Sequence, residues 1–284
     1  MRLGLHALGI GTGARREVID AVAAGAEAAG FATLWVGEHV VMVDDGASRY
    51  PYAPDGRIAV PAQADWLDPL IALSFAAAAT STSRLAPGVL LLPEHNPLRL
   101  AKQVASLDVL SGGRLTLGIG VGWSREEFDA LGVPFERRGA RADEYLAAMR
   151  TVWRDDVASF AGEFVSFADV RVNPRPVRDR RVPIVVGGNS DAALRRAARL
   201  ADGWYGFNLD GSEHVYERLE RLRGCCERAG RDPAELEVAV ALAGAGPHDR
   251  EQLAALGVDE LVLVSSPPAD PGAVEPWLAG LAGR

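Results

Sequence analysis

Apolar residues recur along the chain in two alternating patterns, short continuous runs and stretches with helical spacing. The clearest example is the stretch of residues 84–125. Residues 85–92 and 115–121 are apolar runs with the length of strands, and residues 98–110 between them carry apolar side chains at helical spacing. Two strands joined by one crossover helix form a βαβ unit, whose strands are parallel. The pattern therefore predicts a parallel sheet.

The same alternation continues over the whole chain and predicts eight strands, each followed by a helix. The predicted strands are residues 2–8, 31–36, 85–92, 115–121, 183–186, 203–207, 236–242 and 260–264. No Pro-, Gly- or Ser-rich linker divides the chain. An open doubly wound sheet rarely needs so many units in so short a chain, whereas a (β/α)8 barrel typically has about 250 residues. We therefore predict one α/β domain, residues 1–284, folded as a (β/α)8 TIM barrel.

Two segments do not follow the alternation of strands and helices. Residues 43–66 show neither period, and they contain Tyr50, Tyr52 and several prolines. An irregular segment of this length is usually functional or disordered, and its aromatic residues favour a lid or pocket wall that covers an active site. Residues 159–173 carry two short alternating runs, which predict a small hairpin beside the main sheet.

The composition excludes several classes of protein. A net charge of -8, without a basic cluster interleaved with aromatic residues, argues against binding of nucleic acid. No apolar run approaches the ~18 residues of a membrane span, and the N-terminal sequence lacks a signal-peptide layout. Cys225 and Cys226 are adjacent, so they are not expected to bridge each other. Reduced thiols are typical of a cytoplasmic protein.

Two predicted strands end in glycine-rich stretches, at the position where parallel α/β folds bind ligands. These stretches are Gly120, Val121, Gly122 and Trp123 at the C-terminal end of the fourth strand, and Gly187, Gly188, Asn189 and Ser190 after the fifth. The second stretch precedes a helix, whose free N–H groups suit a phosphate. The alternatives are close packing around the glycines and ordinary helix capping by Asn189 or Ser190. Neither stretch has the Rossmann spacing.

Glu38 and His39, at the end of the second strand, are the best candidate acid–base residues. A histidine beside a carboxylate can donate, accept or orient a proton, and the alternative is a histidine that only contacts a backbone carbonyl. His6 is interpreted as a residue of the barrel interior or pocket wall, and His95 as a solvated loop residue. No His or Cys spacing typical of a metal site is present.

Seven blocks spread over nearly the whole chain carry a resemblance to a known family. They are FATLWVGEHV (31–40), YPYAPDGR (50–57), WLDPLIAL (66–73), NPLRLAKQVASLDVLSGGRLTLGIGVGW (96–123), FERRGARADEYLAAMRTVW (135–153), PIVVGGNSDAALRRAARLADGWY (183–205) and DELVLV (259–264). These blocks resemble the luciferase-like monooxygenase superfamily, and within it the short actinobacterial-type oxidoreductases that use the deazaflavin coenzyme F420. The blocks are far less specific about which flavin is bound.

The resemblance implies a luciferase-like (β/α)8 barrel with a flavin-type ring across its mouth. It implies a non-proline cis peptide bond at Gly88-Val89 behind the ring, although Pro87 stands where relatives carry a small polar residue. Residues 120–123 would approach the cofactor, and residues 187–190 would hold its phosphate.

The same resemblance implies an oxidoreductase that transfers a hydride between F420 and a small organic substrate. His39 would supply or take the accompanying proton, with Glu38 orienting the imidazole, and Arg195 or Arg196 would add positive charge near the phosphate. An FMN-dependent luciferase-like monooxygenase is the first alternative, and a non-catalytic flavin-binding barrel is the second. The expected assembly is a homodimer.

Overall fold

The structure, a computed structural model, describes residues 1–44, 46–244 and 249–283. The strands of its main sheet follow one another around a nearly closed parallel barrel. The strands are β1 (Arg2–His6), β2 (Thr33–Val36), β3 (Arg84–Pro87), β4 (Leu90–Leu91), β5 (Leu117–Gly120), β6 (Ala158–Ala161), β7 (Ser166–Val170), β8 (Ile184–Gly187), β9 (Gly203–Leu209), β10 (Glu237–Leu242) and β11 (Glu260–Val264). The helices are α1 (Arg16–Ala29), α2 (Pro69–Ala79), α3 (Pro97–Leu110), α4 (Arg125–Ala130), α5 (Arg138–Arg154), α6 (Asp191–Leu200), α7 (Gly211–Ala229), α8 (Arg250–Ala255) and α9 (Val274–Leu281).

The order of strands in the main sheet confirms the predicted barrel. That order is β3-β2-β1-β11-β10-β9-β8-β5-β4, and every neighbouring pair is parallel. Strands β3 and β4 both belong to the predicted third strand, residues 85–92. Because β3 pairs with β2 and β4 pairs with β5, this interrupted strand brings the two edges of the sheet together. A bridge between Leu85 and Leu115 also joins them.

The third strand is interrupted at Gly88 and Val89, where the prediction of a continuous strand is wrong. Pro87 pairs with β2 but has no N–H to donate to the next strand. The Gly88–Val89 peptide bond is cis, in agreement with the implication of the family resemblance. The Gly88 N–H still donates a hydrogen bond to the carbonyl of Val36, with an N-to-O distance of 2.7 Å.

Helix boundaries follow local capping chemistry. The Asn96 side chain accepts hydrogen bonds from the N–H groups of Leu98 and Arg99, with Pro97 in the first turn of α3. Gly30 ends α1 in the left-handed conformation, with φ 87°. Strands β6 and β7 form a separate antiparallel pair in the range where the sequence predicts a side hairpin. No helix within the described ranges is long and apolar enough to cross a membrane.

The N-terminal end of the barrel contains a buried polar cluster. The Glu260 carboxylate, 0% exposed, accepts hydrogen bonds from Thr33 Oγ1 and Trp35 Nε1, both at 2.8 Å. It also accepts one from Arg84 Nη2 at 2.6 Å. Above this cluster the rings of Trp35 and Tyr205 stack with centroids 4.7 Å apart. These side chains fill the N-terminal end of the barrel interior.

Candidate active site

The candidate residues lie at the C-terminal ends of the barrel strands, which we call the barrel mouth. Glu38 and His39 follow β2, and Val89 lies between β3 and β4. Residues 121–123 follow β5, and residues 188–190 follow β8. The ring centroids of His39 and Trp123 are 5.8 Å apart, so the ends of β2 and β5 are in contact. The structure therefore brings together residues that are far apart in the sequence.

The glycines of the mouth make room for the side chain of Val89. A Cβ atom on Gly120 would lie 2.6 Å from Val89 Cγ2, and one on Gly187 would lie 2.5 Å from Val89 Cγ1. Close packing, the alternative reading of Gly120, is therefore present. Gly122 and Gly188 have positive φ angles of 76° and 113°, which other residues rarely adopt.

A cavity of about 300 Å³ opens beside these glycines. Gly120, Val121, Gly187 and Ser190 line it together with Arg137, Arg138 and Arg196. Arg196 is paired with Asp143, and Arg137 with Glu163. Arg138 donates to the Gly122 carbonyl at 3.1 Å and lies 3.8 Å over the Phe135 ring, with no carboxylate partner among the described residues. The cavity therefore offers an anion the Arg138 guanidinium, which forms no ion pair with a carboxylate of the described residues.

The side chains of Asn189 and Ser190, both predicted to bind phosphate, form hydrogen bonds with the protein backbone. The Asn189 side chain donates to the Phe207 carbonyl at 2.7 Å and accepts from the Phe207 N–H at 3.1 Å. Ser190 caps α6 by accepting from the Ala193 N–H at 3.2 Å. Ser190 lines the cavity, whereas Asn189 does not. Arg195 also does not line it, and of the two arginines named from the sequence only Arg196 does.

The carboxylate that contacts His39 is Glu127, so the prediction that Glu38 orients His39 is wrong. His39 Nδ1 lies 2.7 Å from Glu127 Oε2, and Glu127 Oε1 accepts from the N–H of Val40 at 2.7 Å. Both side chains are nearly buried, with His39 7% exposed. A buried carboxylate at this distance orients the ring through Nδ1–H. The His39 Nε2 atom has no hydrogen-bond partner among the described residues.

Glu38 forms no hydrogen bond with His39, although the two residues are adjacent in the chain, and its hydrogen-bond partners lie beyond β3. Its carboxylate accepts from the Leu91 N–H at 2.5 Å and lies 3.0 Å from His95 Nε2. His95 is therefore not a solvated loop residue, and that interpretation is wrong. Burial opposes protonation of His95, but the hydrogen bond and charge of Glu38 raise its pKa above the usual value. His6 lies in the barrel interior, as expected, and burial lowers its pKa to about 4.

Glu94 is a buried acid that the sequence does not single out. Neither carboxyl oxygen has a hydrogen-bond partner among the described residues. Burial raises the pKa of Glu94 to about 9, and the charges of Glu127 and Glu38 add to the effect. A Cβ atom on Gly122 would lie 3.3 Å from Glu94 Oε1, so the acid lies behind the mouth. Glu94 is therefore a neutral carboxylic acid at pH 7.

Aromatic side chains of the irregular segment cover the mouth. Tyr50 packs against Trp123 and Tyr52, each with centroids 5.3 Å apart. Tyr52 packs against Phe207, and Trp66 lies edge-on to His39 at 4.9 Å. Residue 45 of the segment lies outside the described residues, and so does residue 248. In the ranges that are described, no group of His, Cys, Asp and Glu is arranged to hold a metal ion.

One sequence signal could have located Glu127. Ser124 and Glu127 have the spacing of a capping box, and Ser124 Oγ accepts from the Glu127 N–H at 3.3 Å. This signal places Glu127 in the first turn of α4. It does not reveal that the side chain crosses to His39, 88 residues earlier in the chain.

Comparison with known proteins gives relatives over most of the chain. A model of the luciferase-like monooxygenase family matches residues 4–264. The uncharacterized protein Rv0940c of Mycobacterium tuberculosis is 35% identical over 245 residues, which are 85% of this chain and 83% of that protein.

Solved structures with the same fold bind two different cofactors. The coenzyme F420 dependent tetrahydromethanopterin reductase of Methanopyrus kandleri has a TM-score of 0.75 and 18% identity, covering 98% of this chain and 97% of the reductase. A type II Baeyer–Villiger monooxygenase of Pseudomonas putida in complex with FMN has a TM-score of 0.74 and 17% identity, covering 99% of this chain and 96% of that chain. At these identities the likeness shows the fold.

Proposed function

This chain belongs to the luciferase-like monooxygenase family, and from that premise we propose that it is an F420-dependent oxidoreductase. It would transfer a hydride between the deazaflavin and a small organic substrate. The observation that carries the proposal is the buried His39–Glu127 pair at the barrel mouth. A proton must move with the hydride when an alcohol and a carbonyl interconvert, and this pair is arranged to exchange one.

The mouth fits a cofactor with a planar ring and an anionic tail. Val89, which packs between Gly120 and Gly187, would give the ring an apolar support. The cavity beside it is lined by Arg138 and by Ser190, at the N-terminus of α6, and both suit a phosphate. We propose that Gly88, Val89 and the residues of the two glycine-rich strand ends bind the cofactor.

His39 would hold the proton at Nε2. Glu127 keeps the other ring nitrogen, Nδ1, in its protonated form by accepting its hydrogen bond. Nε2 is then free to accept a proton from an alcohol or, when protonated, to donate one to a carbonyl oxygen. When bound, F420 supplies the hydride transfer that no protein side chain can perform. Trp66 and Trp123 limit access of water to the imidazole.

The alternative is an FMN-dependent monooxygenase on the same barrel. The FMN complex of the Pseudomonas putida monooxygenase favours it, since that protein shares the fold. A non-catalytic flavin-binding barrel is the third candidate, and the buried His39–Glu127 pair argues against it. The partner in either enzyme would be a small molecule.

The test is titration of the purified protein with F420 and with reduced and oxidised FMN, followed by absorbance and fluorescence. The F420 proposal predicts saturable binding of F420 and stopped-flow reduction of bound F420 by a panel of alcohols. Tight binding of FMN alone, with oxygen consumption after its reduction, would support the monooxygenase. Binding without turnover by any member of the panel would support the binding protein.

We also propose that the protein forms a homodimer in the cytoplasm. Helix α2 is apolar on its outer side as well as its inner side, with Ile71 60% and Phe75 41% exposed. A helix that is apolar on all sides is usually buried, which supports an interface here. Sedimentation equilibrium would show a dimer, and the double substitution Ile71→Ser and Phe75→Ser would shift it to monomer.

A further inference from the structure

The part of the irregular segment above the mouth is a compact unit of residues 47–57. Its backbone closes on itself, because the Tyr50 N–H donates to the Gly56 carbonyl at 2.8 Å. The Gly56 N–H donates to the Ala53 carbonyl at 2.9 Å, and the Arg57 N–H donates to Asp55 Oδ1 at 3.0 Å. These internal bonds join the residues into one compact unit.

Hydrogen bonds attach this unit to the barrel at two places within the described part of the chain. Glu126 Oε1 accepts from the N–H groups of Ala47 at 2.6 Å and Ser48 at 3.0 Å, and the Arg125 N–H donates to Ser48 Oγ at 3.0 Å. Asn208 Nδ2 donates to the Tyr52 carbonyl at 2.7 Å. Hydrogen bonding by Ser48 lowers the pKa of Glu126 to about 2. Glu126 is therefore ionised at physiological pH, and its hydrogen bonds to the two N–H groups are charge-assisted.

The same unit places two tyrosines at the barrel mouth, beside Gly188 and Trp123. The Tyr52 hydroxyl lies 3.3 Å from the position of a Cβ atom on Gly188, and Tyr50 packs on Trp123. Burial raises the pKa of both phenols above the usual value, so both stay neutral. Neither phenol oxygen has a hydrogen-bond partner among the described residues, in contrast to Tyr205, whose hydroxyl lies 3.5 Å from His6 Nδ1.

We propose that residues 47–57 form a lid that opens to admit the ligand and closes on it with Tyr50 and Tyr52 in contact, and that Glu126 is the latch. His39 is only 7% exposed, and its ring contacts Trp123, on which Tyr50 of the lid packs. The two unpaired hydroxyls then bind polar atoms of the ligand. The identity of that ligand, F420 or FMN with a small substrate, rests on the proposed function.

Helix α4 links the latch to the imidazole. Glu126 holds the lid, and the next residue, Glu127, holds His39 and the N–H of Val40. Adjacent residues of one short helix thus hold the cover of the mouth and the proposed acid–base group. Lid closure and orientation of His39 therefore share one rigid support.

Limited trypsin digestion tests the latch, because Arg49 and Arg57 are exposed residues of the lid. Glu126→Gln keeps the shape of the side chain and removes its charge. Glu27→Gln is the matched control, since Glu27 accepts from the N–H groups of Ser81, Thr82 and Ser83, and its pKa is likewise lowered to about 2 although burial opposes this. That site lies at the N-terminal end of β3, away from the lid.

We expect cleavage at Arg49 and Arg57 to be about tenfold faster in Glu126→Gln than in the wild type, because the variant weakens the two charge-assisted hydrogen bonds from Ala47 and Ser48. Glu27→Gln should leave the rate at these two sites unchanged. Saturating F420 or FMN, whichever binds, should slow cleavage at both sites in the wild type. Equal cleavage rates in wild type and Glu126→Gln would contradict the role of Glu126 as the latch. A cleavage rate that a bound cofactor does not change would contradict closure of the lid on the ligand.

Single Tyr50→Phe and Tyr52→Phe variants test the contacts. Each keeps the ring and removes the hydroxyl, so dissociation of the bound cofactor, or of substrate from its complex, should be about 3–10-fold faster in at least one variant. An unchanged dissociation rate in both variants would show that neither hydroxyl binds the ligand. If the wild type binds neither cofactor, the proposed function fails, while digestion of the unliganded variants still decides the latch.

Discussion

The two ends of the barrel each bury a glutamate, and the surroundings of the two side chains are opposite. At the N-terminal end, Glu260 accepts hydrogen bonds from Thr33, Trp35 and Arg84. At the mouth, Glu94 has no hydrogen-bond partner among the described residues. Native proteins rarely leave a buried polar group unpaired, and the exceptions tend to occur at functional sites.

The two clusters also shift the pKa of a glutamate in opposite directions. At the N-terminal end, burial opposes ionisation of Glu237, but Arg84 and Arg2 hold its pKa below the usual value. At the mouth, no arginine of the described residues forms an ion pair with Glu94, and burial with two neighbouring carboxylates raises its pKa to about 9. The N-terminal cluster therefore stabilises the fold. The mouth keeps a neutral acid and an oriented histidine at a cost in stability, as active sites commonly do.

The largest effect is expected on turnover, from substitutions at the mouth. His39→Ala should slow hydride transfer by ~10²–10⁴-fold with cofactor affinity nearly unchanged, because it removes the proton acceptor. Its pH–rate profile should also lose one limb. Glu127→Gln should cost less, and Glu38→Gln least, since Glu38 does not contact His39. Stopped-flow measurement of cofactor reduction tests this, and a wild-type rate in His39→Ala would end the catalytic assignment.

The next largest effect is expected on stability, from a substitution at the N-terminal end. Glu260→Met removes one partner of a buried ion pair and should lower the free energy of unfolding by about 3–5 kcal/mol. Turnover of the folded fraction should not change. Urea denaturation followed by tryptophan fluorescence measures the loss. Glu237→Gln, at a more exposed position, is the comparison with a smaller expected loss, and equal stability of Glu260→Met and wild type would contradict the prediction.

A third prediction uses the pKa of Glu94. The carboxyl is protonated in the folded protein up to about pH 9 but ionises near 4.5 when unfolded. Folding therefore binds a proton between these values, and stability falls as the pH rises through this window. Glu94→Met should remove this dependence and raise the free energy of unfolding at about pH 8 by roughly 1–2 kcal/mol, allowing for solvent screening.

Denaturation at about pH 6 and about pH 8.5 measures that dependence on Glu94. Glu27→Gln is the control, since burial is outweighed by backbone hydrogen bonds that lower the pKa of Glu27 to about 2. Glu27 is then ionised in folded and unfolded protein at both pH values, and its substitution should not change the slope. A Glu94→Met protein with the wild-type slope would show that Glu94 is ionised in the native state.

A further prediction compares two glycines, one at each end of the barrel. Gly188→Val, at φ 113° in the mouth, should weaken cofactor binding by about tenfold or more with a modest loss of stability. Gly4→Ala, at the N-terminal end, would place a Cβ atom 2.3 Å from Glu260 Oε1 and should lower stability by about 1–3 kcal/mol with affinity unchanged. Calorimetric titration and urea denaturation of both variants separate the two effects.

The sequence by itself determined the barrel and the end of it that carries the candidate residues. Strand and helix periods are local properties, and parallel strands joined by helices bring all their C-terminal ends to one face. Glu38, His39 and the two glycine-rich stretches could therefore be assigned to one face without coordinates. The interruption of the third strand at Val89 was implied by the family resemblance and not by the apolar pattern.

Only the tertiary structure decided which side chains meet at that face. Glu38 is adjacent to His39 in the chain but forms no hydrogen bond with it, whereas Glu127 reaches the imidazole from α4. The same holds for Glu94, whose missing partners depend on the elements packed around it. Strand and helix periods arise from contacts between near neighbours in the chain. Hydrogen bonding and burial of a side chain depend on long-range packing, which a local pattern does not contain.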